Sequence, residues 1–501
     1  MIFHPRRGER SAAAEEHDER APRRALILAG GGMRVAWQAG AIRALAEAGH
    51  TFVHADGTSG GIINLAMLLS GLSPEAMCRR WETLDVHDFA SPMPLKDYLA
   101  APDDLMALGD ADGLRDKVFP HLGVDVRRVN DGLPGMTATF NLGNFTDKTS
   151  VAVDHHAVDL DLMVAGVSLP IFMPPVHKEG VTWTDAVWIR DANLLEAVRR
   201  GADELWLLWC IGNTGRYQAG LLEQYVHMIE LSANGALFGE LEQIAEHNRA
   251  LSTGPAGGGR RPVRVHVVKP EYPLPLDPDF YLGRIDASTL VAMGYRDANA
   301  YLAAMRPEGV PLDPSATKMR DPGLGLRFRE RLSGTLAMAG GSRDELHLDL
   351  VVEIAEVEGF VADPSRGAPL AGRLRCREWG EHLLTGGRFW MERGASMTRL
   401  VYEARFVHEG RSYRLVGDKT LRDDPGPDLW GDVTTLEATL LEQPAPDSPG
   451  VQRGAALLRL DGVRQFVSSF EPVNAHGGDE RRRAVAAFGR MLLGELWKVY
   501  A

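Results

Sequence analysis

The residues able to do chemistry lie early in the chain. Gly57-Thr58-Ser59-Gly60-Gly61 has the pattern that seats a serine on a sharp strand-to-helix turn. The flanking glycines remove the Cβ atoms that would clash there, leaving the hydroxyl open as a nucleophile. In a chain with 54 glycines, a bare glycine turn accounts for the pattern alone equally well, so its surroundings decide. Upstream, Gly30-Gly31-Gly32-Met33-Arg34 falls between a strand and a helix. There, uncovered backbone amides and a helix N-terminus can receive a developing oxyanion; the plainer reading is that three glycines let helix and strand pack closely. His54, on the strand leading to Ser59, and His177, just past Pro175, read as packing or surface residues. Asp154-His155-His156 has metal-ligand types, but neighbouring strand residues point to opposite faces, so a turn or surface pair is the better reading and no metal is assigned.

These residues need a frame. From Arg24 to about Met305 apolar strands alternate with helical stretches: Ala25–Ala29, then the glycine loop and a helix ending at Gly49; Thr51–Ala55, then the Gly57–Gly61 turn and a buried helix over Ile62–Leu69. Later come a strand over Glu204–Ile211, a long helix from about Leu221 to Leu251, a flexible loop over Ser252–Arg261 and a strand over Val263–Val268. The alternation implies a parallel sheet between helices. From about Gly323 the pattern changes to period-two strands such as His347–Val352 and Arg399–Phe406, with Glu409-Gly410 as a hairpin turn. A final helix, Asp479–Tyr500, presents Val485, Phe488, Leu492, Leu496 and Val499 on one face. The expected layout is a tail over 1–23, an α/β domain over 24–306, a linker over 307–322 and a β-rich domain over 323–501.

The totals bound the function. A chain of 501 residues supports two or three cores, and a net charge of −13 opposes an electrostatic grip on nucleic acid. Three scattered cysteines, Cys78, Cys210 and Cys376, give neither a disulfide framework nor a zinc site and fit a reducing, cytoplasmic setting. The first 23 residues lack the apolar core of a signal peptide and read as disordered. No apolar run reaches the roughly 18 residues of a spanning helix, which leaves peripheral membrane contact.

The two glycine motifs, followed by Ser168-Leu169-Pro170-Ile171-Phe172-Met173-Pro174-Pro175, resemble in order and spacing the successive signatures of patatin-like phospholipases, over residues 24 to about 306. A conventional α/β-hydrolase places several strands before its serine, whereas Ser59 follows only the second. The resemblance implies a three-layer α/β fold with a central, mostly parallel sheet, and a serine lipid acyl hydrolase, phospholipase A-like or esterase, needing no cofactor. In that family an aspartate follows the Pro-Pro segment, ahead of an Ala-x-x-x-Gly-Ala-Asp helix end. The resemblance therefore implies Asp185, whose downstream frame through Ala197 and Gly201-Ala202-Asp203 agrees, whereas Asp191 shifts that frame by six positions. The implied site has Ser59 as nucleophile and Asp185 as its base. Gly57, Thr58, Gly60 and Gly61 form the elbow; Gly30, Gly31, Gly32, Met33 and Arg34 form the oxyanion hole; the substrate is a lipid or other acyl ester.

Two departures stand out. Val35 replaces the glycine that usually follows the arginine, and Asp185-Ala186-Val187 replaces Asp-Gly-Gly. The second leaves open a catalytically silent lipid-binding scaffold. A Ser-Asp-His triad using His227 or His266 is opposed by the strand count. A dinucleotide-binding module, with Gly30–Arg34 on phosphate and Asp56 on a ribose, leaves Gly57–Ser59 unexplained. In the C-terminal half, Gly417-Asp418-Lys419, Asp423-Asp424, Trp430 and Thr434-Thr435-Leu436 distantly resemble the small domain accompanying cholesterol-oxidase-like flavoenzymes. No flavin fingerprint accompanies them; what the resemblance implies is an apolar-ligand site, with Phe389, Trp390 and Met391 as lining or, alternatively, as core.

Overall fold

The computed structural model describes residues 21–89, 91–92, 107, 109–253, 261–394, 397–422, 434–444, 448–475 and 478–500. Most of the expected tail, most of the Ser252–Arg261 loop, and Asp423, Asp424 and Trp430 lie outside these residues, as do the side chains of Leu492, Leu496 and Val499.

Strand β1 (Arg24–Leu28) is almost wholly apolar because it is buried on both faces, with β2 (His54–Thr58) on one side and β9 (Glu204–Leu208) on the other. With β10 (Arg264–Val268) outside β9 and β5 (Thr137–Asn144) beside β2, five strands run parallel. Strands β6 (Thr149–Asp154), β7 (Val176–Lys178) and β8 (Val181–Asp185) complete the sheet antiparallel at the β5 edge. A two-stranded piece, β3 (Ser91–Pro92) with β4 (Gly109–Asp110), stands apart. The sheet is thus mostly parallel, as expected. The second strand is displaced from the expected Thr51–Ala55 to His54–Thr58, so Asp56-Gly57-Thr58 are ladder residues and the turn begins only at Ser59. Glycine was expected to end the strand, but burial between β1 and β5 holds it extended.

Helices α1 (Ala36–Glu47) and α2 (Gly61–Leu69) follow the first two strands. Helix Ala287–Ala304 crosses α1 at backbone contact: a Cβ on Gly40 would lie 2.0 Å from the Val291 carbonyl oxygen, and one on Gly294 would lie 1.8 Å from that of Trp37. Only glycine allows this approach.

Beyond it, β11 (Gly325–Met338), β12 (Arg343–Ile354), β13 (Ala368–Cys376), β15 (Gly386–Arg393), β16 (Met397–His408), β17 (Arg411–Arg422), β18 (Thr435–Gln443) and β19 (Val451–Leu460) form an antiparallel eight-stranded barrel. Pairing of β12 with both β11 and β13 closes it, and β14 (Gly380–Leu383) and β20 (Glu471–Val473) flank it. The expected hairpin is present: Glu409 (φ 48°) and Gly410 (φ 74°) form the two-residue turn between β16 and β17. Phe328, Phe389, Phe360, Phe466 and the terminal helix's Phe488 stack with centroids 5.5 to 6.3 Å apart and fill the interior. Phe389 and Met391 belong to this packed core, while Trp390 is half-buried and donates to Glu392. Phe389 and Met391 thus pack as core residues, and Trp390 does not. Within the apolar interior Lys419 Nζ donates to Glu330 Oε2 at 2.7 Å and Tyr402 Oη to Glu330 Oε1 at 2.8 Å, all three residues buried. Arg373 of β13 is one of the residues that tie the barrel to the α/β part, binding both carboxylate oxygens of Glu82 at 2.6 and 2.8 Å and Ser288 Oγ at 2.8 Å. Among the described residues no helix is long and apolar enough to cross a membrane.

Candidate active site

Ser59 takes φ 53°, a left-handed conformation that a residue with a side chain adopts at a cost. The turn is held from both sides. Ile62 N–H returns to the Ser59 carbonyl at 2.9 Å as α2 begins, and close packing excludes larger residues: a Cβ on Gly60 would lie 2.6 Å from the Gly32 carbonyl oxygen, and one on Gly61 2.2 Å from that of Leu28. The glycines of the motif thus press the serine turn against the glycine loop.

The Ser59 hydroxyl donates to Asp185 Oδ2 at 2.6 Å. Asp185 ends β8, its N–H held by the Ser168 carbonyl and its Oδ1 accepting the Val187 N–H at 2.9 Å. Burial pushes its carboxyl up to about 7, against the pull of the Ser59 and Val187 hydrogen bonds. A carboxylate of that affinity, bonded to a serine hydroxyl, can take a proton near neutral pH. Asn141 of β5 ties the parts together, donating to Thr58 Oγ1 at 3.1 Å and to the Arg190 carbonyl at 2.8 Å, and Arg190 pairs with Glu240 of helix Leu221–Thr253 at 2.9 Å.

In the glycine loop three of the five amides expected to form an oxyanion hole are already engaged. Gly30 N–H donates to both Asp191 carboxylate oxygens at 3.1 and 3.2 Å, Met33 N–H to Asp277 Oδ1 at 3.1 Å, and Arg34 N–H to the Gly31 carbonyl at 3.1 Å. The Gly31 and Gly32 amides have no acceptor among the described residues. Of the expected set of Gly30 to Arg34 these two amides are left open, because the start of the helical turn and two carboxylates take the others. The Arg34 side chain folds back, its Nε donating to the Gly31 carbonyl at 2.9 Å. Buried Gln38 and Asn64 brace the loop: Gln38 donates to the Ala29 carbonyl at 2.6 Å, and Asn64 to the Val35 carbonyl at 2.8 Å. Asp191 and Asp277 were not among the expected site residues, since they reach the loop from 161 and 244 positions away in the chain. No local pattern reports such contacts.

The rival assignments lose their residues. Asp56, needed at the surface by a dinucleotide site, is fully buried and accepts the Thr139 hydroxyl at 2.6 Å. His227 is bonded to Gln218 N–H and Glu230, and His266 to Tyr301 Oη while stacked on Trp206; neither is bonded to Ser59 or Asp185. His54 is buried against Thr137. The ligand atoms of Asp154, His155 and His156 do gather within 4.8 Å, because β6 ends at Asp154 and the two histidines form a turn. Asp154 is committed to Arg200 and the His156 N–H, and His156 Nδ1 to the Asn130 carbonyl, so the donor set is engaged in holding the turn.

Comparison with known proteins agrees with this architecture. Residues 26–198 match the family model described as patatin-like phospholipase, so this part of the chain is a patatin-like domain. The crystal structure of VipD from Legionella pneumophila is similar at 12% identity over 56% of this chain and 67% of that one, with a TM-score of 0.32, too distant to bear on function. None of the curated proteins matches the chain.

Proposed function

We propose that the chain is a serine-dependent lipid acyl hydrolase, phospholipase A-like or esterase, with its chemistry in the α/β domain over 24–306 and the barrel over 323–501 as a docked companion. The observation that carries the reading is the 2.6 Å hydrogen bond from a strained, elbow-borne Ser59 to buried Asp185. Asp185 accepts the hydroxyl proton as Ser59 Oγ bonds to the ester carbonyl carbon. The tetrahedral oxyanion is received by the Gly31 and Gly32 amides, joined by that of Gly60, the residue after the nucleophile. Collapse expels the alcohol, which takes the proton from Asp185. Water then attacks the acyl-serine, giving its proton to Asp185, and collapse releases the acid as Ser59 Oγ takes that proton back from Asp185. Lipid substrates imply peripheral contact with a membrane and no nucleic-acid partner; none of these steps calls on a cofactor.

The kept Ser59–Asp185 contact favours this reading over a silent scaffold. Ester hydrolysis by wild type, Ser59→Ala and Asp185→Asn tests it: activity is expected in the first alone, and equal rates in all three would end the proposal.

A further inference from the structure

A second buried carboxylate stands beside the pair. Asp191 is fully buried, and the Gly30 N–H is its one hydrogen-bond donor among the described residues; no lysine, arginine or histidine pairs with it there. Its position is fixed by Gly30: the point where a Cβ on Gly30 would sit is 2.3 Å from Asp191 Oδ1 and 2.8 Å from Ser59 Cβ. Asp191 and Ser59 therefore face each other across the glycine, with Asp191 gripping the first amide of the loop whose next two amides are free. The charged and titratable groups acting on it are Asp185, which opposes its ionisation, Arg34, which favours it, and buried Cys210.

Resting on the hydrolase reading above, we infer that Asp191 is a positioning residue of this site, a neutral carboxylic acid that holds the glycine loop against Ser59 while leaving the negative charge of the two on Asp185. Two carboxylates buried together without a paired cation do not both ionise, because each charge is desolvated and repelled by the other. Asp185 accepts two hydrogen bonds, from the Ser59 hydroxyl and the Val187 N–H, and Asp191 only that of the Gly30 N–H, so the negative charge is better held on Asp185 and the proton on Asp191, which burial and the neighbouring Asp185 push up to about 8. When Asp191 ionises, a second negative charge is placed where the oxyanion must develop, and the transition state is destabilised. Alkaline pH therefore slows hydrolysis even though Asp185 is then fully ionised.

The experiment is the dependence of kcat/KM on pH for a p-nitrophenyl acyl ester with the full chain, comparing wild type, Asp191→Asn, Asp191→Ala and Ser59→Ala, with folding checked by thermal melting. Wild type is expected to rise through about pH 7 and fall above about pH 8. Asp191→Asn, neutral at every pH and still able to accept the Gly30 N–H, keeps the rise and loses the fall. Asp191→Ala loses the grip on the loop and drops in kcat by about a hundredfold, the scale of losing one oxyanion donor, with KM little changed; Asp191→Asn exceeds it at least tenfold. An alkaline fall that persists unchanged in Asp191→Asn overturns the inference, as does full activity in a folded Asp191→Ala. If Asp191→Ala fails to fold, the Asn profile decides alone. Undiminished hydrolysis by Ser59→Ala would instead sink the underlying hydrolase reading.

Discussion

Replacing Asp185 by asparagine should make the protein more stable as it makes it inactive, and by an amount that depends on pH. The carboxyl has an ordinary value of 3.8 and is pushed up to about 7 in the fold, chiefly because burial penalises its charged form. At about 1.4 kcal/mol for each tenfold change in proton affinity, that gap corresponds to roughly 4 kcal/mol. The sign follows from which state holds the proton. The folded chain binds it more tightly than the unfolded chain, so the penalty is absent at pH values below 3.8, grows as pH rises and is complete above about 7. Asparagine carries no charge and escapes it. The stability gained by Asp185→Asn over wild type should therefore increase by roughly 2 kcal/mol between about pH 5.5 and 9, the part of the penalty still to develop over that span. Urea unfolding followed by tryptophan fluorescence at the two pH values measures it, because Trp37, Trp206 and Trp209 are buried in the same domain. A difference between variant and wild type that is the same at both values would refute the argument that a desolvated charge sits at the centre of the site. So would a net loss of stability at pH 9.

Three further outcomes follow from the packing. Gly60→Ala places a methyl 2.6 Å from the Gly32 carbonyl oxygen and 2.8 Å from Val35 Cγ1, and forcing the loop away should cost about a hundredfold in kcat, read in the same ester assay with the fold retained by circular dichroism. In the barrel, Lys419→Met leaves Glu330 buried with only Tyr402 as its partner and should cost about 3–5 kcal/mol; adding Glu330→Gln should recover most of that loss, both read from urea midpoints. Arg373→Ala strands Glu82 at the domain interface and should separate the unfolding of the two domains into distinct calorimetric transitions.

What was legible in the sequence, and what was not, follows the range of the forces. The elbow and glycine loop could be read because each glycine answers a local steric demand, and the alternation of apolar strands and helices is itself a local record of a parallel sheet covered on both faces. The pairing of β16 with β17 was equally visible, since Glu409-Gly410 is a two-residue turn whose geometry fixes the register. Closure of the barrel was not, because the ladder between β12 and β13 differs in no local respect from one that leaves a sheet open. The same reasoning explains the amides. Gly30 to Arg34 looked like five equivalent donors, but Asp191 and Asp277 claim two of them from distant parts of the chain, and the turn itself claims a third. Lys419 and Glu330, 89 positions apart, likewise look like two surface charges until the barrel folds them inward.

The departure at Ala186-Val187 shows how the site keeps its geometry without the glycines expected there. A glycine is indispensable after the aspartate if the chain must turn through positive φ or pass too close to a neighbour for a Cβ; neither Ala186 nor Val187 has positive φ, and both side chains are accommodated as buried residues. The chain instead leaves β8 in a single helical turn, with the Ile189 and Arg190 N–H groups both donating to the Ala186 carbonyl at 2.8 Å. Val187, kept in line by this turn, returns its own N–H to Asp185 Oδ1, so the residue that replaces a glycine helps to aim the carboxylate. Ala186 and Val187 are both buried, and their side chains anchor the turn where glycine would leave it free. The turn ends by delivering Asp191 to Gly30. The same turn thus sets both carboxylates of the site: Asp185 on the serine, and Asp191, six residues on, against the loop that faces it.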